Sequence, residues 1–172
     1  RKAIEQRGTD NVEAYNLYLM ARQHYSTGHM SDARKSDTVI RLCRAAIELD
    51  ALYARAWALM ATAQRMRLYA TGDGDDGSLA ATRAIELDGN LAEAHAAKAG
   101  ILAAAGDYTA ARTELDTAVR LDGDSVDVHR EAARLCFHEH RFEDAIRHWE
   151  RVSTLVETDY ATGPLLITCY TA

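Results

Sequence analysis

Proline is almost missing from this chain: Pro164 is the single instance in 172 residues, so nothing ahead of it interrupts a helix by withholding a backbone donor. Large aromatics are scarce, with two Phe and two Trp, and a core has to be assembled from smaller side chains. The three cysteines, Cys43, Cys136 and Cys169, form no CxxC pair. That spacing argues against a zinc knuckle or a dithiol redox site and leaves buried thiols at apolar positions. Basic charge is in the minority, 20 Lys and Arg against 26 Asp and Glu for a net charge of −6. No nucleic-acid partner is expected, because phosphate contacts are made by Lys and Arg. No apolar run reaches the roughly 18 residues of a membrane span. No signal peptide is visible and the chain opens at Arg1 rather than Met, so it reads as a cytoplasmic piece of a longer protein, with residues 1–7 ending an upstream helix at Gly8.

Sites of chemistry are also missing. There is no GxSxG, P-loop or dinucleotide fingerprint. His138-Glu139-His140 does not make a zinc pair, since residues two apart on a helix point away from each other. Asp73, Asp75 and Asp76 among Gly72, Gly74 and Gly77 resemble a calcium loop, but Ala84 stands where that loop needs its bidentate Glu. No catalytic residue, metal site or cofactor is expected.

What the chain does have is an echo. Ala46-Ile47-Glu48-Leu49-Asp50 returns as Ala84-Ile85-Glu86-Leu87-Asp88 and as Ala118-Val119-Arg120-Leu121-Asp122, at strides of 38 (84 − 46) and 34 (118 − 84) residues. Two helices per period is the signature of a helix-turn-helix solenoid, whose units bury their apolar faces only by stacking. The expected first helix is capped by Asp10 with Glu13 returning the bond, and it carries Ala14, Leu17, Tyr18, Ala21 and Tyr25 on one stripe. Gly89 and Gly123 are expected to end helices in the left-handed conformation, with Asn90 and Asp124 capping the helices that follow. Asp107 is expected to cap after a Gly106 turn, and His140-Arg141 to form the next turn. The loop over 71–77 accounts for the four extra residues of the second unit.

These residues resemble tetratricopeptide repeats. With Ala92 as position 1, Ala99, Leu102, Ala111, Leu115 and Ala118 fall on that family's positions 8, 11, 20, 24 and 27, while His95, Lys98 and Gly123 depart from its pattern. The family's proline at position 32 is replaced by Ala51, Gly89 and Gly123. The resemblance implies an all-α superhelix of about four helix pairs plus a terminal helix, a single domain with units over 11–53, 54–91, 92–125 and 126–159 and a partial unit over 160–172. Residues 9–19 are further similar to the opening of repeat arrays that follow the output domain of bacterial signalling proteins of the class III adenylate or guanylate cyclase or winged-helix regulator type.

Carried over position by position, the resemblance implies a concave groove that presents Asn16, Met20 and Gln23 from the first unit, Leu59, Thr62, Arg65 and Met66 from the second, and Arg130, Arg134, Phe137 and His138 from the fourth. The third unit contributes mainly alanines, so a shallow apolar trough with charged walls is expected. The Lys/Asn clamp by which some members hold a terminal carboxylate is not reproduced, since Asn16, Met20 and Leu59 stand there. The implied function is a non-catalytic module that binds a protein or peptide in its groove, with a homodimer as a possible partner arrangement. The alternatives are a self-assembling structural element and a helical-repeat enzyme.

Overall fold

The computed structural model describes residues 7–26 and 32–155. Among these residues the chain is helical with no strand: α1 (Val12–Ser26), α2 (Ala33–Leu49), α3 (Ala54–Thr71), α4 (Ser78–Leu87), α5 (Ala92–Ala104), α6 (Tyr108–Leu121), α7 (Val126–His138) and α8 (Phe142–Leu155). Each helix packs on the next in sequence, and α3, α5 and α7 also pack on one another in file. This is the stacked-pair architecture expected. The terminal helix and partial unit over 160–172, the helix over 1–6, the break at 27–29 and Cys169 all lie outside the described residues.

The echoed alanines explain why the pairs stack. Ala46, Ala84 and Ala118 are completely buried, as are Ala61, Ala111, Ala133 and Ala145. A methyl side chain lets two helix backbones approach closely, and a larger residue there would have to displace a neighbouring helix. Volume is supplied elsewhere by a few bigger groups. Tyr53 and Val39 are buried between the first two units, Leu115 and Val128 between the third and fourth, and Trp149 with Val152 where α8 packs on α7. Cys43 and Cys136 are buried free thiols.

The joints between units differ from the expectation. Gly89 and Gly123 do not adopt positive φ. The repeated aspartate makes the turn instead. Asp50, Asp88 and Asp122 are C-caps in extended conformation, at φ −146°, −147° and −151°. Each donates its N–H to the echoed alanine four residues back and accepts, on its carbonyl oxygen, the N–H three residues on. The Oδ1 of each accepts the N–H two residues on, from Leu52, Asn90 and Asp124, at 3.0, 3.0 and 3.1 Å. This is an Asx turn, which closes a tight bend without the φ restriction of proline. With the backbone so engaged, the N-caps of α5 and α7 are Leu91 and Ser125, with no side-chain capping bond, so Asn90 and Asp124 do not cap. At the front the cap is Asn11 rather than Asp10. Its Oδ1 accepts the N–H groups of Glu13 and Ala14 at 3.0 Å each, while Thr9 ties this corner to Asp50.

Within the third and fourth units the turns are as expected. Gly106 sits at φ +85° and His140 at φ +59°, and each is spanned by the paired six-to-one and five-to-two bonds of a Schellman ending. Asp107 Oδ1 accepts the Ala110 N–H at 3.0 Å. The two kinds of glycine therefore respond oppositely to alanine. Gly106→Ala is expected to destabilise by about 1 kcal/mol, because only glycine adopts that φ freely. Gly89→Ala is expected to be neutral or to stabilise by up to about 1 kcal/mol, since a methyl there meets only ordinary contact with the Ile85 carbonyl oxygen at 3.7 Å. Urea unfolding of the two variants measures the contrast.

Candidate functional site: a charged inner wall

The first helices of the four units, α1, α3, α5 and α7, converge on one wall. Tyr18, Arg22 and Tyr25 meet Arg55, Ala58, Leu59 and Thr62, then Glu93, Ala96 and Ala97, then Asp127 and Glu131, around a cavity of about 20 Å³. That volume is about what one water occupies. The wall is an ion network rather than an open apolar trough. Arg65 of α3 reaches past α5 to Glu131 of α7 at 2.7 Å, and Arg134 bonds the same carboxylate oxygen. All three side chains are largely buried. Gly100 makes this crossing possible. A Cβ there would lie 2.5 Å from Glu131 Oε2 and 3.0 Å from the Arg65 guanidinium carbon.

A second bridge closes the wall from the other end. Arg22 of α1 pairs with Asp127 of α7, which also faces Arg130 at 3.9 Å. The Tyr25 ring lies under both Arg22 and Arg130, with each guanidinium 5.6 Å from its centroid, a cation–π arrangement strengthened by desolvation. Arg55 pairs with Glu93 at 3.5 Å. The charge of Asp127 raises the Arg22 pKa further above its usual range, and burial pushes the Tyr18 hydroxyl up to about 12. Burial opposes the Arg134 charge, but Glu131 and Tyr25 outweigh it and hold the group protonated.

The residues expected to line a groove are distributed differently. Leu59, Thr62, Arg65, Met66 and Arg130 are buried within the fold, Arg134 and Phe137 are half-buried, and Asn16, Met20, Gln23 and His138 are exposed. On α1 the inner face carries residues 18, 22 and 25. At 100° per residue this face is turned about 200° from the one bearing 16, 20 and 23. Arg22 and Tyr25 were therefore missed as wall residues. Their stripe reads as plain core in the sequence, and Asp127 lies 105 residues away from Arg22. Phe137 packs edge-on against Phe142 at 5.5 Å, and His138 stacks on Tyr108 at 6.4 Å.

The departures from the repeat pattern have a common explanation. Trp57 Nε1–H donates to the Ala51 carbonyl six residues back at 3.0 Å. His95, one unit later, makes the equivalent bond from Nε2 to the Gly89 carbonyl at 3.0 Å and places Nδ1 2.7 Å from Glu114. Lys98 joins the same carboxylate at 3.0 Å, so Glu114 satisfies both His95 and Lys98. Burial alone would raise the Glu114 pKa, but the bonds from His95 and Lys98 prevail and lower it. In the fourth unit the pair becomes His129 and His148, with their Nδ1 atoms 3.0 Å apart and His129 Nε2 buried without a partner. Burial, and then the proximity of His129, lower the His148 pKa.

No family model and no curated protein matches this chain. Among solved structures it is similar to TTC0263, a thermophilic TPR protein of Thermus thermophilus. The TM-score is 0.66 at 15% identity, over 99% of this chain and 87% of that one. It is also similar to the ArsTM double mutant of MamA RS-1, with a TM-score of 0.51 at 13% identity over 95% and 86% of the two chains. At these identities the likeness shows the fold alone, a tetratricopeptide-type solenoid.

Two outcomes are expected of the wall and of the histidine pair. Glu131→Gln strips two buried guanidinia of their counter-charge and lowers stability by about 3 kcal/mol, read from the urea midpoint. His148 has a folded pKa below its unfolded value near 6.5, so its contribution is complete above that pH and is lost as the pH falls through it. Glu114, whose folded pKa is also depressed, loses its contribution only at lower pH, below its ordinary value of 4.5. The wild-type midpoint should thus fall between about pH 7 and pH 5.5, and His148→Glu, which rebuilds the His95–Glu114 pairing, should abolish that fall.

Proposed function

We propose that this chain is a non-catalytic protein-interaction module of a cytoplasmic bacterial signalling protein, with a cyclase-like or winged-helix output domain elsewhere in the full protein. The observation that carries the reading is the file of α3, α5 and α7, a repeat-built wall in a fold whose inner cavity has room for a water and not for a substrate. Among the described residues no helix is long and apolar enough to cross a membrane. The signalling setting rests on the likeness over residues 9–19.

The partner is a peptide or a folded domain laid along the inner wall. To lie there it takes the place of the bridge from Arg22 to Asp127, so binding is coupled to loosening of the contact between the first and fourth units. The proposed contact residues on the wall that solvent reaches are Arg22, Arg55 and Glu93, whose side chains are about a quarter to a third exposed, with Arg134, Phe137 and His138 at the far end; Asn16, Met20 and Gln23 lie on the opposite face of α1. Self-association is the second reading. It is favoured by Val12, Leu19 and Met20 of α1, which are about half exposed, an apolar set that a second copy would cover.

Photo-crosslinking inside the native cell tests both. A crosslinker placed at Arg55 or His138 should capture one and the same polypeptide, whereas one at Leu79 of α4 should not. Capture from Leu79 alone would refute the wall as binding surface. Capture of the chain itself at Met20, with light-scattering mass rising on concentration, would favour the self-associating element.

A further inference from the structure

In a stack of repeats each unit touches its neighbours alone. Here the first unit also reaches the fourth. α3, α5 and α7 pack in file, whereas α1 packs chiefly on α2 and only lightly on α3. Its inner face leans over the file instead. Tyr18, Arg22 and Tyr25 close the cavity whose other walls belong to α3, α5 and α7. Tyr18 packs edge-on against Tyr53, the N-cap of α3, with ring centroids 5.3 Å apart. Arg22 bridges to Asp127, and the Tyr25 ring lies under Arg130 of α7. Leu59, Thr62, Arg65, Met66 and Arg130, which the repeat pattern assigns to the open side of a groove, are buried.

The three α1 side chains stand at i, i+4 and i+7, the anchor spacing with which an amphipathic helix fills a groove. α1 thus meets α3, α5 and α7 as a bound helix does. Its middle anchor is a cation, and the cavity beneath it is lined by the carboxylates of Glu93, Asp127 and Glu131. That anchor is also the weaker point of the contact. Arg22 bonds Asp127 Oδ2, while Oδ1 is buried, accepts no hydrogen bond and lies 3.9 Å from Arg130. A guanidinium holds a carboxylate most strongly when it engages both oxygens, so the resident helix leaves part of this site unfilled.

We propose that α1 is a resident occupant of the groove, and that the partner replacing it is an amphipathic helix with an aromatic, an arginine and an aromatic at i, i+4 and i+7, the arginine seated on Asp127. This rests on the inner-wall reading and narrows it. Spacing selects a helix over an extended segment. Seven residues of helix rise about 10 Å. A strand covers that length in about three residues that face alternate sides, and brings at most two anchors to the wall.

Fluorescence anisotropy of a labelled peptide with the sequence of residues 11–26, titrated with the 172-residue chain, tests this. The wild-type chain should bind it weakly, because the tethered α1 already fills the groove. Arg22→Gln in the chain loosens the resident helix, leaves the wall intact, and should raise the affinity about 10-fold. A peptide bearing Arg22→Gln should lose that gain, and adding Asp127→Asn to the Arg22→Gln chain should make the two peptides bind alike. Amide hydrogen exchange of an isotope-labelled wild-type chain depends on no variant. Peptide in large excess should speed exchange in α1 and leave α3, α5 and α7 protected. The proposal is overturned if Arg22→Gln brings no gain, if both peptides bind that variant equally well, or if α1 stays protected. Dimerisation of the wild-type chain that excess peptide reverses would make α1 of a second copy the occupant and overturn a separate partner. Failure of the peptide arms with capture at Arg55 intact sinks this inference alone, whereas loss of capture at both Arg55 and His138 sinks the reading it rests on.

Discussion

Helix meets helix in this protein through alanine methyl groups at fixed positions, and the other features follow from how closely those methyls let the backbones approach. Ala46, Ala84 and Ala118 recur at the joint end of each second helix, and all are fully buried. A crossing made of methyls contributes little apolar area per residue. Its stability comes from repetition and from dispersion contacts at close range. The scarcity of Phe and Trp in the composition is the sequence-level face of the same design, because large rings at every crossing would push the units apart.

Close stacking also brings the first helices of the units near one another, and long side chains then span what backbones do not. Arg65 reaches Glu131 only because α5 offers Gly100 and alanines at the crossing. A run that reads in sequence as an apolar floor becomes, in three dimensions, the window through which the second and fourth units are joined. Buried ion pairs of this kind add little net stability over an apolar replacement but are expensive to break singly. Their effect is to select one curvature of the stack over others, since a looser superhelix would leave Glu131 and both guanidinia desolvated without partners.

The periodic part of the fold was legible from residues alone: the 34-residue stride, the burial of the echoed alanines, the turns at Gly106 and His140 and the cap at Asp107. The joints were not, for a specific reason. Gly89 and Gly123 follow the helix ends and invite a left-handed cap, whereas the preceding Asp88 and Asp122 satisfy the same backbone groups with a side chain and need no positive φ. A local rule for glycine thus lost to a competing local rule for aspartate. The inner wall was half legible. The resemblance assigned Arg65, Arg130 and Arg134 to the first helices of their units, where they join the ion network, but pairing across 66 or 105 residues depends on superhelical curvature, which one unit's sequence does not encode. On α1, where no preceding unit in the described residues sets the helix rotation, the face was assigned to 16, 20 and 23 instead of 18, 22 and 25.

The irregularities carry more information about function than the repeats do. Where the pattern holds, residues are committed to stacking and are silent about partners. Where it breaks, a side chain has been released from that duty. His95 and Lys98 break the pattern and are reabsorbed by Glu114, so they return to structure. His129 breaks it in the next unit and is reabsorbed only in part, keeping a buried nitrogen without a partner. The loop over 72–77 breaks the stride itself and is fastened back by Arg67, which bonds the Asp37 carboxylate and the Asp73 carbonyl. A guest on the inner wall would have to break the bridge between Arg22 and Asp127, so the contact that joins the first and fourth units is also the one that any occupant of the wall has to displace.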